Sequence, residues 1–83
     1  MKLLYFAWIR ERTGHAEEDI EVPAGVETVA DLIGWLKTRG EEFEHAFEND
    51  TVVRAAIDRT HVPLTAPLKD AREIAFFPPM TGG

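Results

Sequence analysis

Residues 76–83, Phe76-Phe77-Pro78-Pro79-Met80-Thr81-Gly82-Gly83, have types and spacing that suit one kind of chemistry, the delivery of a terminal carboxylate. Pro78 and Pro79 have no amide hydrogens and a fixed φ, so a β-ladder cannot run through them. The residue before a proline is pushed to extended geometry, which applies to Phe77 and again to Pro78. The tail is therefore expected to leave the fold straight and semi-rigid, on a polyproline-like path. Gly82 and Gly83 carry no Cβ and suit a slot too narrow for other residues. The expected tip is the α-carboxylate of Gly83, ionised at neutral pH because such groups titrate near a pKa of about 3.5.

The other side chains suggest little chemistry of their own. With no cysteine, disulfides, thiolate metal sites and thiol nucleophiles are excluded. His15, His45 and His61 lack ligand spacing, so no metal is expected. Trp8 and Trp35 read as packing residues, and Glu41, Glu42, Glu44, Glu48 and Asp50 as a solvated face. A net charge of −6 disfavours nucleic acid, whose phosphates require a basic surface, and favours partners with basic surfaces. No apolar run is long enough to span a bilayer. The opening Met1–Ile9 run reaches Arg10-Glu11-Arg12 without a cleavage site, so the protein is expected to be cytoplasmic.

The elements that must hold the tail are those of one small domain of 83 residues. Lys2 to Trp8 is apolar on both faces and predicts a central strand, followed by a turn from Arg10 to Gly14. Glu17 to Val22 predicts a second strand, antiparallel to the first, with Ile20 and Val22 facing inward. Thr28 is placed to cap a helix reaching about Arg39, with Asp31 as the capping-box acid and Val29, Leu32, Ile33 and Leu36 as its buried stripe. Gly34 within it suggests close backbone packing. Phe43, Ala46 and Phe47 predict a short second helix in Glu41–Glu48. Val52 to Ile57 predicts a strand, Asp58 to His61 a turn, Val62 to Leu64 a brief extended pairing, and Glu73 to Phe77 the last strand. The fold class is α+β: a mixed sheet of four or five strands, one main helix on one face and a short second helix. Pairing the last strand parallel to the first would bury it, although local patterns leave other small α+β topologies open.

The sequence Phe-Phe-Pro-Pro-x-x-Gly-Gly at 76–83 resembles the end of the MoaD-type sulfur carriers, the small subunits of molybdopterin synthase. The stretch Leu4-Tyr5-Phe6-Ala7-Trp8-Ile9-Arg10-Glu11-Arg12-Thr13-Gly14 is similar to the same family's first strand and turn. Ala71-Arg72 stands where the family often has Gly-Asp, and Ile57-Asp58 where it has a Val-Asn-like turn. The resemblance implies a ubiquitin-like β-grasp domain at 1–77 with an extended tail at 78–83. It implies that Gly83 carries an acyl-adenylate, made with ATP, and then a thiocarboxylate. Gly82, Thr81, Met80, Pro79 and Pro78 would enter a partner, while Phe77, Phe76, Arg10 and Glu11 would border the interface. The implied partners are the large synthase subunit in a heterotetramer, a ubiquitin-activating-like adenylating enzyme and a sulfur transferase. No cofactor would be held stably, and the isolated chain would not be an enzyme. Alternatives are a related carrier or protein modifier for another pathway, and an interaction module whose diglycine is incidental.

Overall fold

The apolar alternation at the two ends of the chain brings those ends together. The computed structural model describes residues 1–79. Its strands are β1 (Lys2–Tyr5), β2 (Glu17–Asp19), β3 (Arg54–Ile57), β4 (Thr60–Val62) and β5 (Glu73–Phe77). Its helices are α1 (Ala7–Thr13), α2 (Val29–Lys37) and α3 (Glu41–Ala46), and a 3₁₀ turn covers Asp50–Val52. The sheet order is β2-β1-β5-β3-β4. β5 lies parallel to β1, with Leu3 opposite Ile74 and Tyr5 opposite Phe76, and antiparallel to β3. This mixed five-stranded sheet has the expected β-grasp arrangement, with the tail-bearing strand at its centre.

One face of the sheet is covered. Leu3, Tyr5, Ile74 and Phe76 point into the core together with Val29, Leu32, Ile33 and Leu36 of α2. Aromatic side chains join the layers: Phe47 meets Phe76 edge-on at 5.3 Å, and Tyr5 stacks on Phe76 at 6.1 Å. The N-terminus of α2 has the expected capping box. The Thr28 hydroxyl accepts from the Asp31 amide at 3.1 Å, and Asp31 Oδ2 accepts from the Thr28 amide at 3.2 Å. The 63–68 loop supplies further acceptors, Val29 donating to Ala66 and Ala30 to Leu64.

Five local expectations are corrected. The first strand ends at Tyr5 rather than Trp8, because Ala7 adopts φ 51° and turns the chain into α1. Ile9 and Thr13, at i and i+4, are the buried face of that helix, and Gly14 at φ 80° closes it where a plain turn was expected. The 3₁₀ turn delays β3 to Arg54. The β3–β4 turn consists of Asp58 and Arg59 alone, both at positive φ, so His61 lies within a strand. Gly34 is exposed and a Cβ there would meet nothing within 4 Å, so no close packing requires it.

Candidate functional site

Alternation along β5 separates the two phenylalanines that precede the prolines. Phe76 is fully buried and belongs to the core, which removes it from the set of interface candidates. Phe77 faces the side of the sheet opposite the helices, where it is half-buried. The ring of His61, on edge strand β4, lies 5.0 Å from that of Phe77, tilted by 52°. Arg54 pairs with Phe77 across the β3–β5 ladder, and its guanidinium Nη1 donates to the Thr51 carbonyl at 3.2 Å. Pro78 and Pro79 follow, half-buried and outside regular secondary structure. The expectations for Met80, Thr81, Gly82 and Gly83 lie outside the described residues.

The root of the tail is also fixed from the first strand. The Phe6 amide donates to the Phe76 carbonyl at 3.1 Å, one residue past the β1–β5 ladder. The turn at Ala7 then directs the Phe6 side chain outward, 47% exposed. Arg10 and Glu11 are both exposed on α1, and neither forms an ion pair among the described residues. Arg12 ties α1 to α3: its guanidinium lies 4.8 Å from the Trp8 ring centroid and donates to the His45 carbonyl at 3.3 Å. Phe6 and His61 were not marked as site residues by sequence reasoning. The i, i+4 pair Ile9/Thr13 is a sequence trace of the helix that turns Phe6 out, whereas Asp58-Arg59 lacks the usual hairpin signal and leaves the strand holding His61 unmarked.

The uncovered face carries one continuous register row, Glu17–Leu4–Ala75–Ala56–His61, across all five strands. Its centre is apolar and shallow because alanines occupy it. Beside the opposite end of β5, a surface depression of about 730 Å³ is walled mainly by aliphatic side chains such as Met1, Ile20, Val22 and Leu68. Among the described residues, no group of three or more His, Asp or Glu side chains could hold a metal ion, and no helix is long and apolar enough to cross a membrane.

A polar cluster holds the covered side together. Glu18 Oε2 accepts from the Tyr5 hydroxyl at 2.8 Å and from Arg39 Nη1 at 2.9 Å. The Arg39 guanidinium lies 4.6 Å from the Phe43 ring centroid and 5.4 Å from that of Trp35. Burial pushes the Glu18 carboxyl up, but hydrogen bonds from Arg39 and Tyr5, with the Arg39 charge, outweigh it and hold the group below its ordinary range. Burial and then the bond to Glu18 push the Tyr5 hydroxyl up. The cluster connects β1, β2 and the end of α2, and it is structural.

Comparison with known proteins agrees with this geometry. The ThiS family matches residues 3–83. The chain is 37% identical to the molybdopterin synthase sulfur carrier subunit of Escherichia coli K12, over all of this chain and 99% of that one. It also resembles the solved structure of a putative molybdopterin converting factor, subunit 1, from Pyrococcus furiosus. That match has a TM-score of 0.73 and 34% identity, and covers 95% of each chain. Small archaeal modifier protein 1 of H. volcanii shares the fold, with a TM-score of 0.70 at 21% identity, covering 96% of this chain and 97% of that one.

Proposed function

The chain belongs to the ThiS family, and from that premise we propose that it is the sulfur carrier subunit of a molybdopterin synthase, acting in the cytoplasm through the carboxylate of Gly83. One observation carries the reading. The central strand β5 ends at Phe77 against a shallow apolar face, and the six residues that follow run from two prolines to two glycines. A full-length relationship to sulfur carrier subunits supports it.

The chemistry begins from an unreactive group. An ionised carboxylate is a poor acyl donor, because its leaving group would be an oxide. Attack of the Gly83 carboxylate on the α-phosphorus of ATP, on an activating enzyme, forms the acyl-adenylate and releases pyrophosphate. A sulfur nucleophile supplied by a sulfur transferase then adds to the acyl carbon and expels AMP, leaving a thiocarboxylate. The large synthase subunit receives the tail. The thiocarboxylate sulfur bonds to a carbon of cyclic pyranopterin monophosphate, and water then cleaves the acyl–sulfur bond, leaving the sulfur on the pterin and the carboxylate on Gly83. Each tail carries one sulfur and a dithiolene needs two, which fits an assembly of two small and two large subunits.

The carrier's own contribution is delivery. Pro78 and Pro79 stop the ladder and stiffen the start of the tail, and Gly82 and Gly83, having no Cβ, suit a narrow slot in a partner. Phe77 anchors the docking surface, with Arg10 and Glu11 at its border, and the general acids, bases and oxyanion donors belong to the partners. Reconstitution tests this reading. Full chain, activating enzyme, ATP, sulfur source and large subunit should convert the precursor to molybdopterin. The chain lacking Gly82 and Gly83 should still bind the large subunit yet yield none. Equal product from both chains would overturn the proposal.

A further inference from the structure

The tail can reach only so far from its root. Six residues, Pro78 to Gly83, span at most about 20 Å when fully extended. A protein that draws Gly83 into a buried slot must therefore lie against the surface from which the tail departs. On the uncovered face that surface is Phe77, the His61 ring packed on it at 5.0 Å, and the Leu4–Ala75–Ala56 row beside them. Phe6, exposed and bonded through its amide to Phe76, adds apolar area near the same end. The occupant that fits is the protein receiving the tail, through an apolar surface surrounding the mouth of its slot.

His61 is the exception in this patch, a side chain whose type changes charge within the physiological pH range. On β3, Ala56 faces it and Arg54 lies opposite Phe77, adding a second positive charge to the same face. On β5 the charged residue is Glu73, four positions from Phe77 and paired with Lys2 across the ladder. On β4 its neighbours are Thr60 and Val62. In the adjoining turn, Asp58 accepts from the Arg72 and Glu73 amides, and Arg59 is exposed. Among the described residues no carboxylate forms a hydrogen bond or ion pair with His61. A neutral imidazole can be covered by an apolar surface at modest cost, whereas an uncompensated imidazolium cannot.

We propose that His61 makes docking of the tail-receiving protein pH-dependent, the neutral ring permitting the complex and the protonated ring loosening it. The inference rests on the sulfur-carrier reading above, with the large synthase subunit as receiver.

The test is the affinity of the full chain for the large synthase subunit of the same organism, measured by calorimetry at about pH 7.5 and about pH 5.5, on either side of the histidine range. Wild type, His61→Leu and His61→Arg are compared, with circular dichroism verifying the fold at each pH. Wild type should lose affinity by about tenfold or more at the lower pH, the loss expected when an unpaired charge must be desolvated. His61→Leu should bind equally at both, and His61→Arg weakly at both. Wild-type binding that does not change with pH, or a parallel loss in wild type and His61→Leu, would overturn the role of His61 while leaving the carrier reading intact. Failure of wild type to bind at either pH would overturn both.

Discussion

Asp58 Oδ1 accepts the Arg72 amide at 3.0 Å, joining the β3–β4 turn to the residue just before β5. The same oxygen accepts from the Glu73 amide at 3.0 Å, and the Asp58 amide donates to the Glu73 carbonyl at 3.0 Å. The β3–β4 turn is thereby fastened to the start of the strand that ends in the tail. Asp58 also occupies the left-handed region at φ 47°, where aspartate and asparagine are tolerated better than other side chains. Asp58→Asn should keep both the conformation and an acceptor oxygen, with a melting temperature close to wild type. Asp58→Ala should lose about 1–3 kcal/mol in chemical denaturation.

Gly34 offers a gain in stability. It sits on the exposed face of α2 with free space where a Cβ would go. Gly34→Ala should stabilise the domain by about 0.5–1 kcal/mol, by raising helix propensity and restricting the unfolded chain. Urea titration would show this as a higher midpoint with an unchanged slope.

The Tyr5–Glu18–Arg39 cluster makes stability fall at both extremes of pH. Because the Glu18 carboxyl is held low in the folded state, its contribution is complete above the ordinary glutamate value of about 4.3 and is lost as pH falls through the folded value. Because the Tyr5 hydroxyl is pushed up, its contribution is complete below the ordinary tyrosine value of about 10 and is lost as pH rises further. Glu18→Gln should lower stability at neutral pH and flatten the acid limb of a plot of melting temperature against pH. Tyr5→Phe should flatten the alkaline limb.

The two phenylalanines before the prolines should separate folding from docking. Phe76 is wholly buried among Tyr5 and Phe47, so Phe76→Ala should cost about 3–5 kcal/mol and unfold much of the population. Phe77 is half-buried on the uncovered face, so Phe77→Ala should cost about 1 kcal/mol while weakening capture by the large subunit. Thermal melts and pull-down with that subunit, run on both variants, would distinguish the two roles.

Much of this arrangement was legible in the sequence because several signals coincided. The Val29/Leu32/Ile33/Leu36 stripe and the Thr28–Asp31 box fix α2, and the alternation Ile74/Phe76 against Ala75/Phe77 fixes β5. The parallel pairing of β5 with β1 buries a short apolar strand, as expected, but local patterns alone left other small α+β topologies open. Two features were hidden. Helix α1 begins in an apolar run that also reads as strand, and the positive φ of Ala7 that divides the two has no local signature. The β3–β4 hairpin turns on Asp58-Arg59 rather than the usual Asn-Gly, which masked the strand containing His61. Which phenylalanine faces outward depended on strand register, and the sequence has no marker for that.

The most direct measurement is the intact mass of the full chain after incubation with its activating enzyme, ATP and a sulfur source. The sulfur-carrier account requires a mass gain equal to one oxygen replaced by sulfur, located at Gly83 by fragmentation and absent when Gly83 is deleted. An unmodified terminus in the presence of a demonstrably active enzyme would contradict it, leaving a β-grasp interaction module whose two glycines carry nothing.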